Sequence, residues 1–191
     1  MDKVVFMDRD GTINVEKNYL YRPEELTFIP GAEAAIKRLN DSGYKVVVVT
    51  NQAGVARGYY SEDDVRKLHG FMQEELKKSG AHIDRFFYCP HHPVHGKGKY
   101  LCSCNCRKPD IGMFKQAEEI FDIDITNSWM IGDNKGDIEA GIRYGVITIL
   151  VGTGYGKKIM EEKNVRYDYY KNNLADAVDF ILMRNGDRCE K

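Results

Sequence analysis

No apolar run in this chain approaches the length needed to span a bilayer, which argues against a membrane-spanning helix. Charge of one sign is also lacking: 28 Lys and Arg stand against 29 Asp and Glu, a formal net charge of −1. There is no basic block of the kind that tracks a nucleic-acid backbone, and Arg107-Lys108 and Lys157-Lys158 are too short to serve as one. No basic segment followed by an apolar stretch opens the chain, so export is not expected and the cytoplasm is. The five cysteines are odd in number and four of them crowd between Cys89 and Cys106, which speaks against a disulfide framework and for a reducing compartment. Internal repeats and low-complexity tracts are missing as well. What remains is 191 residues with 42% hydrophobic and 30% charged side chains, the balance of an ordinary globular protein with one substantial core.

Apolar, β-branched runs at Val4–Met7, Lys45–Val49, Trp129–Ile131 and Val146–Val151 predict parallel strands covered on both faces. Helical periodicity lies between them. Ala32, Ala35, Ile36 and Leu39 share one face of a helix over 31–39, stopped by Asn40-Asp41-Ser42-Gly43. Ser61 predicts an N-cap for a helix through Val65, Leu68, Met72 and Leu76 to Lys78. Further helices are expected over Ile111–Phe121, Gly136–Tyr144 and Leu174–Met183. Strand, loop, helix, strand is an α/β pattern, whose ligands sit beyond the carboxyl ends of the strands. Asp8/Asp10, Thr50/Asn51 and Asp133 directly follow three of the apolar runs, so one crevice would collect them. The stretch from Cys89 to Cys106 reads as a long irregular loop. His69 and His82 read as helix-surface or junction residues.

Asp8 and Asp10 place two carboxylates two positions apart where a buried strand ends. Packing alone gives little reason for that, because unpaired charge is costly in an apolar setting. A metal ion would neutralise the pair. Gly11 permits the tight turn that follows, and Thr12 can fix it. Asp133 and Asp137, in Gly132-Asp133-Asn134-Lys135-Gly136-Asp137, add the hard oxygen donors that Mg²⁺ prefers. Thr50 and Asn51 can donate hydrogen bonds to a phosphoryl group, and Lys108 can balance charge on a nucleophilic carboxylate. Each motif alone fits an ordinary loop turn. All of them at strand ends, in one compatible order, point to phosphoryl transfer.

Asp8-x-Asp10-Gly11-Thr12, Thr50-Asn51, Lys108-Pro109 and Gly132-Asp133-x-x-x-Asp137 resemble the four motifs of the haloacid-dehalogenase-like phosphatases, in their order. The resemblance extends to about Gly154. It implies a Rossmann-like parallel sheet flanked by helices. It also implies that Asp8 attacks phosphorus to form an aspartyl-phosphate, and that Asp10 protonates the leaving alcohol and then activates water. Asp8, Asp133 and the backbone carbonyl of Asp10 would surround Mg²⁺. Asp137 would support the metal shell or orient Lys108, while Thr50 and Lys108 hold phosphoryl oxygens.

Cys89-Pro90-His91 and Cys104-Asn105-Cys106 supply four ligands for a tetrahedral Zn²⁺. Cys102 and His92 are spare candidates, and free thiols on a loop are the plainer alternative. A loop so poor in apolar residues needs another source of order, which zinc can supply. With all four positions filled by protein, the zinc would be structural. The same insert, Cys-Pro-His-His-Pro with a later Cys-x-Cys-Arg-Lys-Pro-x-x-Gly-Met, resembles the subgroup that holds the heptose-bisphosphate 7-phosphatases and the histidinol-phosphate phosphatases. There the zinc loop takes the place of a large cap domain and brings Arg107 and Lys108 to the site mouth. A single domain over 1–191 is therefore expected, with a zinc loop at about 89–106 and no large cap.

The resemblance implies a Mg²⁺-dependent phosphomonoesterase acting on a small phosphorylated sugar, a heptose 1,7-bisphosphate. Arg57 and Arg107 are candidates for its second phosphate, because a guanidinium can bind phosphate in a bidentate manner. Asn51 and Gln52 are candidates for its hydroxyls. Histidinol phosphate, with its ammonium and imidazole, would instead favour a rim such as Glu16, Tyr19 and Tyr21. A catalytically dead scaffold carrying a zinc loop is the third possibility, and the intact Asp8, Asp10, Lys108 and Asp133 argue against it. No nucleic-acid or membrane partner is expected, and the chain is expected to be a monomer.

Overall fold

The computed structural model describes residues 1–189, with side chains through residue 184. Six strands, β1 (Val4–Met7), β2 (Lys45–Asn51), β3 (Arg85–Cys89), β4 (Trp129–Gly132), β5 (Ile147–Val151) and β6 (Tyr169–Lys171), form one sheet in the order β3-β2-β1-β4-β5-β6, every neighbouring pair parallel. Parallel pairing requires crossovers, and the crossover helices cover both faces. This is why the central strands are apolar at successive positions and not only at alternate ones: all four residues of β1 are fully buried.

The two faces divide the core by strand parity. Val5, Met7, Val46, Val48, Ile131 and Ile149 pack against the helices α1 (Ala32–Asp41), α3 (Glu62–Lys78) and α7 (Leu174–Cys189). Val4, Phe6, Val47, Val49 and Met130 pack against α4 (Gly112–Glu118) and α5 (Lys135–Tyr144). Two short helices, α2 (Ala53–Arg57) and α6 (Gly156–Glu162), follow β2 and β5. The order reverses at β1: the chain first builds outward through β2 to β3, then returns to place β4 on the other side of β1. The ends of β1 and β4 thus border the crevice where a doubly wound sheet binds ligands.

The expected strands and main helices are present, with boundary shifts of a residue or two except that α4 ends at Glu118, short of Phe121, and α7 runs on past Met183 to Cys189. Ser61 caps α3 as its sequence suggested: its Oγ accepts from the Asp64 N–H at 3.2 Å, and the Asp64 carboxylate accepts from the Ser61 N–H at 2.9 Å. Gly145, at φ 100°, ends α5 in the left-handed conformation. Strands β3 and β6, and helices α2 and α6, were not anticipated. β3 starts on an exposed Arg85 and is only half-buried through Phe86, Phe87 and Tyr88. β6 has three residues, all half-buried. Tyr169 of β6 meets Phe180 at 4.5 Å and Trp129 at 6.3 Å between ring centroids, so this tyrosine of the C-terminal segment covers a core edge. His69 departs from the sequence reading: it is on the buried face of α3, not on the helix surface. Among the described residues, no helix is long and apolar enough to cross a membrane.

Candidate active site

β1 ends at Met7, and the chain then turns on the Arg9 carbonyl. That oxygen accepts from the N–H groups of Thr12, Ile13 and Asn14 at 3.3, 2.9 and 3.2 Å. The turn holds Asp8 in line with the strand, its N–H bonded to the Ile131 carbonyl of β4 at 3.0 Å. Gly11 sits at φ 79°, and a Cβ there would collide with the Asp133 carboxylate. Glycine is therefore required on both counts: for the backbone angle and for the closeness of the two motif loops.

Asp133 follows β4 and Asp137 lies in the first turn of α5. With Asp8 they offer three carboxylate oxygens within 4.8 Å of one another. Asp133 accepts from the Tyr155 N–H at 2.8 Å and from the Thr12 hydroxyl at 3.5 Å. Lys108 supplies the balancing cation. It is buried, and its Nζ donates to Asp8 Oδ1 at 2.8 Å and to the Val49 carbonyl at 2.6 Å, with Asp137 Oδ1 at 2.7 Å. One ammonium against three carboxylates leaves negative charge in a buried place. Burial pushes the Asp8 carboxyl up to about 7; Lys108 opposes the shift, and Asp137 and Asp10 add to it. Burial, then Asp137 and Asp8, likewise holds Asp133 well above the ordinary carboxylate range. Burial alone would lower the Lys108 ammonium, but Asp137 and Asp8 outweigh it and raise it. Oxygen donors in this arrangement, short of positive charge, fit a hard divalent cation.

A cavity of about 270 Å³ opens onto Asp8, Asp10, Thr50, Arg107, Lys108 and Asp137. Thr50, at the end of β2, accepts from Gln52 Nε2 at 2.9 Å. A second cavity of about 200 Å³ lies on the other side of Asp10, lined by Glu16, Tyr19 and Tyr155 among others. Tyr21 is not in its lining; it stacks on Tyr60 at 5.2 Å. The carboxylate of Asp10 stands apart from the three-aspartate cluster and lines both cavities.

The two amides expected to meet substrate hydroxyls also have protein partners, and both residues line the cavity beside Asp10, Asn51 the larger one as well. Asn51 donates to the Lys108 carbonyl and accepts from the Lys108 N–H, each at 3.0 Å, and so pins the main chain that carries the lysine. Gln52 bonds Asp10, Thr50, Arg9 and Tyr60 and is buried. Arg107 lines the larger cavity and donates to the His91 carbonyl at 3.3 Å. Arg57 lies over the Tyr19 ring, 5.9 Å from its centroid, outside that lining.

Cys89 ends β3, and His91, Cys104 and Cys106 converge on it. The sulfur–sulfur distances are 3.1, 3.3 and 3.5 Å, and His91 Nδ1 lies 3.5 Å from Cys106 and 3.8 Å from Cys89. Zinc–sulfur bonds of about 2.3 Å imply tetrahedral edges of about 3.8 Å, so the four atoms approximate such a site, slightly contracted. The hydrogen bond shared with Cys89, against burial, pulls the Cys106 thiol down to about 5, while the Cys89 thiol is driven up by its bond to Cys106 and by burial. Cys102 is outside the group. His92 also stands aside, its Nδ1 accepting from the N–H groups of Val94 and His95 at 3.1 and 3.0 Å.

Residues 105–177 match the HAD-hydrolase-like family model. The D-glycero-beta-D-manno-heptose-1,7-bisphosphate 7-phosphatase of Haemophilus ducreyi is 42% identical over 94% of this chain and 98% of its own. The chain belongs to the heptose-bisphosphate 7-phosphatase family. A D-glycero-alpha-D-manno-heptose-1,7-bisphosphate 7-phosphatase of Photorhabdus laumondii, of the opposite anomeric name, is also 42% identical, over 80% of this chain and 84% of its own. The D,D-heptose 1,7-bisphosphate phosphatase of B. bronchiseptica, solved with magnesium and phosphate, superposes with a TM-score of 0.85 at 31% identity, covering 95% of this chain and 99% of that one. In this family member Asp8, Asp133 and Asp137 cluster beyond the ends of β1 and β4, with Lys108 paired to Asp8 and Asp137. The sequence reading gave neither Arg9 nor His69 a functional role. Arg9 stands between two aspartates with no pattern to mark it, whereas His69, four residues after Val65 and three before Met72, falls at the spacing of the apolar face of its helix, a sign of burial.

Proposed function

We propose that this chain is a Mg²⁺-dependent phosphomonoesterase that removes the 7-phosphate of D-glycero-D-manno-heptose 1,7-bisphosphate. The observation that carries the reading is the Lys108 ammonium, 2.8 Å from Asp8 at the rim of a cavity that Asp10 also faces. Asp8 attacks the phosphorus, the bond to the sugar oxygen breaks, and Asp10 gives that oxygen a proton. Asp10 then takes a proton from a water molecule, which attacks the phosphorus of phospho-Asp8 and frees phosphate and the original carboxylate. Thr50 and Lys108 hold the phosphoryl oxygens; Asp137 orients Lys108. Asp8, Asp133 and the Asp10 backbone carbonyl would hold Mg²⁺, which when bound lowers the charge barrier between a carboxylate and an anionic phosphate. Cys89, His91, Cys104 and Cys106 would hold a structural Zn²⁺ that orders the loop bearing Arg107 and Lys108.

Arg107 and Arg57 supply positive charge for the second, non-reacting phosphate. Gln52 enters this reading as a support for Asp10, its amide fully engaged, while Asn51 supports Lys108 and, lining both cavities, offers its remaining amide capacity to a sugar hydroxyl. The test is phosphate release with Mg²⁺, comparing the two heptose 1,7-bisphosphate anomers with histidinol phosphate. A large kcat/KM preference for a bisphosphate supports the reading. A preference for histidinol phosphate would overturn the substrate while leaving the mechanism.

A further inference from the structure

Arg9 is fully excluded from solvent and is the largest side chain so buried among the described residues. A guanidinium taken out of water costs several kcal/mol unless its donors are met, and an apolar side chain of the same volume would pack as well at less cost. Packing alone is therefore a poor reason for Arg9. Its partners point to another. NH2 donates to Asp10 Oδ2 at 2.8 Å and Oδ1 at 3.0 Å, and Nε donates to Oδ1 at 3.2 Å. NH2 also meets the Leu20 carbonyl at 3.1 Å and Gln52 Oε1 at 3.2 Å.

The far side of the guanidinium rests on His69 of α3, whose Nε2 lies 3.3 Å from NH1. Burial, and then the charge of Arg9, hold this imidazole well below its ordinary titration range, so it is neutral and Nε2 can accept from the Arg9 N–H. The His69 ring stacks on Phe86 of β3 at 4.5 Å and 19°. Asp10 receives two more N–H groups, from Asn14 Nδ2 at 3.0 Å and Gln52 Nε2 at 3.1 Å. Tyr60 fixes Gln52 in turn, its hydroxyl donating to Oε1 at 2.7 Å. The Asp10 carboxylate is thus gripped from within the protein and faces the cavity with its open side.

We propose that Arg9, braced by His69, is a positioning residue that sets the direction of the Asp10 carboxylate and so governs proton transfer to the leaving oxygen and from water. The proposal rests on the functional reading above. It separates two tasks: Asp8, Lys108 and Thr50 engage the phosphoryl group, while the network of Arg9, His69 and Gln52 aims the acid and base.

The experiment compares Arg9→Lys, His69→Leu and His69→Gln with the wild type, each checked by thermal melting. Substrates are heptose 1,7-bisphosphate and p-nitrophenyl phosphate, with inorganic phosphate as a competitive inhibitor. Arg9→Lys keeps the charge but loses the fork. Its kcat on the sugar phosphate is expected to fall about tenfold or more, with KM and phosphate inhibition within about threefold, because positioned acid–base groups contribute about 10²–10⁴ in rate. Nitrophenolate leaves without a proton, so p-nitrophenyl phosphate should give a burst near one equivalent per enzyme followed by slow turnover. His69→Leu should fall in the same direction, and His69→Gln, which keeps an acceptor, should recover most of the loss. A wild-type kcat in Arg9→Lys, KM and phosphate inhibition that worsen in step with kcat, or His69→Leu and His69→Gln that behave alike would overturn the proposal. If Arg9→Lys does not fold, the two His69 variants decide it. A wild-type protein that releases no phosphate from either ester overturns the functional reading and this proposal with it. An active wild type with indifferent variants overturns only the proposal.

Discussion

Replacing Lys108 with Met keeps the aliphatic stem and removes the ammonium from between Asp8 and Asp137. Each of those contacts, at 2.8 and 2.7 Å, is worth about 6 kcal/mol at an effective dielectric of about 20, before desolvation is charged against it. Removing one partner of a buried pair costs a net of about 3–5 kcal/mol, because the other charges stay behind unpaired. In metal-free protein this would lower the melting temperature by roughly 6–20 °C for a chain of this size. The effect depends on pH, and its sign follows from Asp8. Its carboxyl titrates at about 7 when folded against 3.8 in the unfolded reference, so the folded chain binds the proton more tightly. That contribution to stability is full below the lower value and is lost as pH rises through the upper one. Lys108 holds the folded value down, so its removal drives Asp8 higher and extends the loss to more alkaline pH. Urea denaturation in EDTA, at about pH 6 and about pH 8, should show a larger gap between variant and wild type at the higher pH. A gap below about 1 kcal/mol at the higher pH, or one that narrows as pH rises, would refute the reasoning.

Asp8→Asn should lower kcat about a thousandfold or more without lowering the metal-free melting temperature, since it removes a nucleophile and relieves like-charge repulsion; steady-state assay and thermal melts check both. Gly11→Ala should raise the Mg²⁺ concentration needed for half-maximal activity, because its Cβ collides with Asp133 and its φ of 79° costs about 1–2 kcal/mol for an L side chain; a magnesium titration reads this. Cys104→Ser should reduce zinc per chain, measured by elemental analysis, and lower the melting point before it alters turnover of a small aryl phosphate. Full zinc occupancy in that variant would mean the ligand set is wrong.

The sequence made legible what local pattern encodes. Val4–Met7, Val46–Val49 and Trp129–Ile131 announced buried parallel strands because both faces of each are covered. The carboxylates announced themselves by following those strands. β3 and β6 escaped notice because Phe86, Phe87, Tyr88 and Tyr169 are only half-buried and their runs are short. The Arg9 network escaped for a different reason. Its members, Arg9, Gln52, Tyr60 and His69, are separated by up to 60 residues and meet only through the fold. The spacing of His69 from Val65 and Met72 puts it on the apolar face of α3 but gives no hint of Arg9, and the hold of Asn51 on the Lys108 main chain spans 57 residues and leaves no local pattern.

The most direct test of the central claim follows the two phosphates of heptose 1,7-bisphosphate separately by phosphorus NMR, with Mg²⁺ and wild-type protein. The 7-phosphate signal should disappear into inorganic phosphate while the 1-phosphate signal persists, and Asp8→Asn should leave both unchanged. Loss of the 1-phosphate, or turnover by Asp8→Asn, would contradict it.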